Sequence, residues 1–128
     1  MIRILIAGIF SAGFSYILNK LMLTKLGDRA LIVLIPFIEE MAKSTAAIVL
    51  KTNFIGVHFV FGCIEGIYDY IYSNKKIGKW AALASVISHT FFGSVTFLIY
   101  TTTQRALLGI LVAWIFHSTW NWYITNKI

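Results

Sequence analysis

Trp80 to Thr101 reads WAALASVISHTFFGSVTFLIYT, with no Asp, Glu, Lys or Arg, and the charge-free stretch continues to Gln104. The hydrocarbon core of a bilayer is about 30 Å thick, and a helix rising about 1.5 Å per residue crosses it in about 20 apolar residues. The stretch is therefore read as a membrane-crossing helix. Working outward, Ala106 to Asn126 is equally free of charge, and similar runs cover roughly Ile2 to Leu18, Ala30 to Leu50 and Phe54 to Tyr72. Hydrocarbon leaves exposed backbone groups unsatisfied, and these runs are too long for barrel strands, so helices are expected throughout. The expectation is an all-α, multi-pass transmembrane helix bundle of about five spans (2–18, 30–50, 54–72, 80–101 and 106–124), forming a single transmembrane domain over residues 1–128.

Composition agrees with that reading. Of the 128 residues 59% are hydrophobic and 12% charged, whereas soluble domains carry about 25% charged residues. One cysteine, Cys63, excludes an internal disulfide and a Cys-rich zinc site. The first run lacks a small-residue cleavage pattern after Gly13, so it is read as a retained helix and not as a signal peptide. Five crossings would place Arg3, Lys51 and Arg105 on one side and Lys20, Lys25, Arg29, Lys75, Lys76, Lys79 and Lys127 on the other. The richer side is expected to be cytoplasmic, giving an outer N-terminus and an inner C-terminus. The formal charge of +6 then reflects anchorage at anionic headgroups, with no nucleic-acid partner. Trp80, Trp114, Trp120 and Trp122 are read as interface belt or packing.

Only Asp28 of the five acidic residues falls in an expected loop; Glu39, Glu40, Glu65 and Asp69 lie within spans. Ionisable groups there are costly, about 2.5 to 3.5 kcal/mol at a helix centre on insertion scales, and they face bundle interiors or wet cavities. Lys43 follows Glu39 by one turn, so an ion pair between them is expected. Counting from the cytoplasmic ends, Glu39 is nine residues from Ala30, Glu65 seven from Tyr72, His89 nine from Trp80 and His117 seven from Ile124. All four then sit about 10 to 14 Å inside the boundary. His58 is far from that level and is read as an interfacial or core histidine, while Asp69 is expected to line a wet cavity.

Carboxylates and imidazoles at one depth suit proton transfer, because apolar surroundings favour their uncharged forms and let a general base work near pH 7. Glu39 and Glu40 are both candidates for the base. His117 and Asn121 are four apart on one helix face and can address a developing oxyanion together. A base that activates water, with paired oxyanion donors, amounts to amide hydrolysis. No Gly-x-Ser-x-Gly pattern supplies a nucleophile. Zinc is the second chemistry, since Glu and His are competent ligands, but the chain has no His-Glu-x-x-His and no cofactor is expected. The bland alternative is structural: an ion pair holding helices together and histidines satisfied in a core.

The motifs resemble those of the PrsW family of intramembrane proteases, within the superfamily that includes the CAAX prenyl endopeptidases and the CPBP or Abi proteins. Glu39-Glu40-x-x-Lys43 resembles its EExxK, Phe61-x-x-x-Glu65 its FxxxE, His89 the histidine of its third motif, and His117-x-x-x-Asn121 its closing HxxxD/N. Ser85 stands where related patterns carry an aromatic, and Asn121 where many members carry aspartate. The resemblance implies a glutamate-dependent endopeptidase acting on membrane-associated peptides or membrane proteins. Glu39 would activate water with His89, His117 and Asn121 would stabilise the oxyanion, Glu40 and Lys43 would support the site, and Glu65 would hold a less defined motif position. With fewer spans than typical relatives, the chain would be a minimal core, or one whose cavity a partner completes; membrane lipid is the other expected partner and self-association is left open. A non-enzymatic proton or cation pathway, or an immunity or scaffold protein, is the alternative of another class.

Overall fold

The computed structural model describes residues 1–27, 29–74 and 77–127, and the side chains of Arg29 and Lys127 lie outside that description. Asp28, Lys75 and Lys76, assigned above to loops, also fall outside the described residues. The described chain is all-helical: α1 (Ile2–Leu26), α2 (Arg29–Ile32), α3 (Leu34–Val49), α4 (Phe54–Tyr72), α5 (Gly78–Thr103) and α6 (Ala106–Lys127). Helices α1, α4 and α5 are long and apolar enough to cross a membrane. Five such spans are expected from the sequence. The difference lies in α3, which has 16 residues, and in α6, whose second half dilutes its apolar character with His117, Asn121 and Asn126.

Two boundaries differ from the sequence reading for identifiable reasons. Helix α1 continues eight residues past Leu18, because Lys20, Leu21, Met22 and Leu23 are good helix formers that carry it to Gly27. At Gly27 the backbone adopts φ 63° and ψ −156°, a region essentially restricted to glycine. The second expected span is broken at Val33. Pro36 has no N–H to offer the carbonyl of Ile32, so α2 cannot run smoothly into α3. Carbonyls at the break are satisfied from α6: the Trp114 indole N–H donates to Val33 O at 2.8 Å, and the Asn121 amide donates to Leu31 O at 2.9 Å. Helix α4 begins at an Asn53 cap that accepts from the Gly56 N–H at 2.8 Å.

Small residues set how closely the helices meet. Helices α4 and α5 pack most extensively, and a Cβ added at Gly62 would lie 2.9 Å from Ser85 O, one at Gly66 2.9 Å from Ala82 O. Such backbone-to-backbone approach is how membrane helices gain packing without a hydrophobic driving force. Gly62→Leu is expected to cost about 1 to 3 kcal/mol by overpacking, read as a shifted midpoint in detergent-driven unfolding. Asp69, expected in a wet cavity, instead accepts from Ser85 Oγ at 2.6 Å and ties the same two helices together.

The bundle has two unlike ends. Where α1 and α4 begin and α3 and α5 finish, Ala7, Ala46, Ala47, Phe54 and Val57 form an apolar plug, with Leu50 and Tyr100 against it. The opposite end carries Lys20, Lys25 and Lys79. Outward faces are apolar, as at Ile9, Phe10, Ile17, Ile87 and Leu98, which suits a lipid surround. Trp80, Trp120 and Trp122 border an apolar groove of about 670 Å³ between α5 and α6, and Trp114 packs against Phe37 with ring centroids 5.4 Å apart.

Candidate functional site

Helix α3 presents Glu39, Glu40 and Lys43 just past the break, all buried, and the other helices bring partners to them. Glu40 is the hub. Its Oε1 accepts from Lys43 Nζ at 2.5 Å and from His117 Nδ1 at 2.9 Å, while its Oε2 faces His58 Nε2 at 3.1 Å. The expected Glu39–Lys43 pair is therefore replaced by Glu40–Lys43, at a spacing of three. Both oxygens of this fully buried carboxylate are thus engaged, Oε1 by two donors and Oε2 against the His58 ring, which leaves it little capacity for a further proton transfer.

Glu39 is differently placed, one residue away. Its Oε1 accepts from the Asn19 amide at 2.6 Å; its Oε2 is buried without a hydrogen-bond partner among the described residues, 3.7 Å from His117 Nε2. Glu39, Glu65, Asn19 and Asn121 line a partly open cavity of about 630 Å³ bordered by α1, α3, α4 and α6, with Lys20 and Thr24 toward its basic end. Of two adjacent carboxylates, one has both oxygens engaged and the other belongs to the cavity lining with one oxygen unpartnered among the described residues.

His89 bridges the remaining motif residues. Lys43 Nζ lies 2.9 Å from His89 Nδ1, and an ammonium only donates, so Nδ1 accepts and the ring proton sits on Nε2, which donates to Glu65 Oε2. Both ring nitrogens are thus engaged. Aromatic rings fix the imidazoles: Phe92 stacks on His117 at 4.7 Å, Phe61 meets His89 edge-on at 5.0 Å, and Lys43 Nζ sits 4.4 Å above the Phe61 ring. Phe61 of the second motif therefore shields the buried ammonium.

Six of the seven site residues read from the sequence, Glu39, Glu40, Lys43, Glu65, His89 and His117, meet in one connected cluster. Asn121 lines the adjoining cavity but commits one amide N–H to Leu31 O, so it also serves the helix break. Two participants escaped the sequence reading. His58 is fully buried against Glu40, with Nδ1 on Phe54 O at 2.9 Å, which corrects its placement outside the cluster. The depth argument used one level, whereas the cluster fills two: Lys43 is thirteen residues from Ala30 and His58 fourteen from Tyr72, both about 20 Å in. Its signal was the spacing of His58, Phe61 and Glu65, which share a helix face. Asn19 falls just past the expected end of the first span at Leu18; the buried Ser11 and Ser15 and the half-buried Asn19, every fourth residue, mark a polar seam along that helix.

One carboxylate and two imidazoles, Glu39, His89 and His117, each offer a ligand atom within 4.8 Å of the others. That donor set matches catalytic zinc sites in type. The fit is incomplete, because both His89 nitrogens are engaged and the Lys43 ammonium lies 2.9 Å from one of them, opposing a second cation. Comparison with family models, curated proteins and solved structures returned no match, so the site is read from its geometry.

Proposed function

We propose that the chain is an intramembrane peptide hydrolase of the glutamate type, resembling PrsW proteases, embedded through five helical passes with its N-terminus outside and its C-terminus in the cytoplasm. The observation that carries the reading is the contrast between Glu40, both of whose oxygens are engaged, and Glu39, which lines the cavity and whose Oε2 has no hydrogen-bond partner among the described residues. Water placed between Glu39 Oε2 and His117 Nε2 gives its proton to Glu39 as its oxygen adds to the substrate carbonyl. The second Asn121 N–H, and His117 when protonated at Nε2, answer the oxyanion, within the fixed positive field of Lys43. The proton then passes from Glu39 to the amide nitrogen as the C–N bond breaks. Glu40 and His89 act as positioning residues for His117, Lys43 and Glu65.

Hydrolysis has a direct test. Purified chain in vesicles, mixed with transmembrane peptides in oxygen-18 water, is expected to produce fragments whose new C-terminal carboxyl carries the heavy isotope; no fragments from any peptide would reject the reading. The conduction alternative is less well supported, since the polar chain stops at His58, which turns back onto Phe54 O beneath the apolar plug. Zinc remains the second reading, on the proximity of Glu39, His89 and His117. Prolonged chelation is expected to leave cleavage intact, whereas loss that zinc restores would favour the metal-dependent reaction.

A further inference from the structure

Helices α1 and α4 touch tightly at one level and separate at another. A Cβ on Gly8 would fall 2.4 Å from Val60 Cγ1, so the two helices are pressed together there. Five residues on, a Cβ on Gly13 would meet nothing within 4 Å, and Gly13 lines the cavity that holds Glu39. The Tyr16 and Tyr68 rings, both about half exposed, meet edge-on at 6.1 Å across the same gap. Deeper in, Asn19 Oδ1 and Glu39 Oε2 are buried acceptors without partners among the described residues. Buried acceptors need donors, and an unwound peptide in a bilayer has backbone N–H groups in the same need.

We propose that α1 is the substrate-reading wall of the site: the space beside Gly13 receives an apolar side chain of an unwound membrane segment entering between α1 and α4, and Asn19 accepts a backbone N–H of that segment while holding Glu39. This rests on the hydrolase reading for the identity of the occupant; the entry route itself does not. Glycine at 13 is then a specificity residue, since any added bulk occupies space the segment would use. Asn19 has two tasks on two atoms, donating to Glu39 from its amide nitrogen and accepting from substrate at Oδ1.

The route can be probed without any cleavage, using dicyclohexylcarbodiimide, an apolar reagent, on the full chain in phosphatidylcholine vesicles. A carboxyl O–H adds across its C=N bond and the acyl group then shifts from oxygen to nitrogen, leaving an N-acylurea that retains every atom. Peptide mapping is expected to find the adduct on Glu39 and not on Glu40. Labelling should fall in the order Gly13→Ala, Gly13→Leu, Gly13→Trp, by roughly tenfold at the last, as a filled pocket excludes its ligand. Phe14→Trp, beside it but facing outward, is expected to label like the unaltered chain. An unlabelled Glu39, or one labelled equally in Gly13→Trp, overturns the route whatever the chain cleaves. Correct labelling with no cleavage of any peptide would instead sink the hydrolase reading alone. On a peptide cleaved in the isotope experiment, Gly13→Leu should slow a substrate with Phe at the responsive position more than one with Ala. Asn19→Asp, which keeps the acceptor but repels Glu39, should lower kcat with little change in KM, whereas Asn19→Ala should change both. Equal losses for the Phe and Ala peptides, or matching KM changes in the two Asn19 variants, would overturn the assigned roles.

Discussion

Glu39→Gln is expected to reduce peptide cleavage on the order of 10³-fold in kcat, within the range found when a general base is removed. Glutamine has nearly the same shape, and its amide oxygen can still accept from Asn19, so packing around α3 should survive. What is lost is a buried carboxylate oxygen that has no partner among the described residues, on a residue that lines the cavity. The measurement is single-turnover cleavage of a transmembrane peptide in vesicles, alongside the detergent-unfolding midpoint. Activity within a few-fold of the unaltered chain, with the fold intact, would remove Glu39 from the base role. Activity that persists in Glu39→Gln but vanishes in Glu40→Gln would exchange the two carboxylates.

Glu40→Ala is expected to behave in the opposite way and to fail as a folded protein. The substitution removes the carboxylate from a fully buried Lys43 ammonium and takes one contact each from His58 Nε2 and His117 Nδ1. Breaking one side of a buried ion pair costs about 3 to 5 kcal/mol, a large part of the stability of a small domain. Combining it with Lys43→Met removes the stranded charge as well and should recover part of that loss, because a buried pair can be replaced by apolar groups at small cost. Unfolding midpoints of the single and double variants give the comparison. A double variant no more stable than Glu40→Ala would show that the loss comes from the histidines and not from the ammonium.

Hydropathy made the helices legible because length and apolarity are the only requirements for crossing hydrocarbon, and α4 and α5 lie close to their expected bounds. The Val33 break was not legible as such, even with Pro36 in view. Whether a proline kinks, breaks or is tolerated depends on what satisfies the freed carbonyls, and the donors Trp114 and Asn121 are about 80 to 90 residues away. Within the site, residue types and rough depth pointed to Glu39, Glu65, His89 and His117. Partner choice was hidden, because Lys43 can reach Glu39 or Glu40 with similar helical geometry, and only tertiary neighbours decide between them. Asn19 was hidden for a different reason: a single amide near a helix end gives no hydropathy signal that separates it from an ordinary loop residue.

The Glu40 hub also has a bearing on biogenesis. Its partners come from α3 itself, α4 and α6, and His117 lies 77 residues beyond Glu40, so the hub is complete only once the last helix has been made. Until then Glu40 has Lys43 of its own helix and His58 of α4 beside it but lacks the His117 imidazole, so the last helix both closes the bundle and completes the polar core.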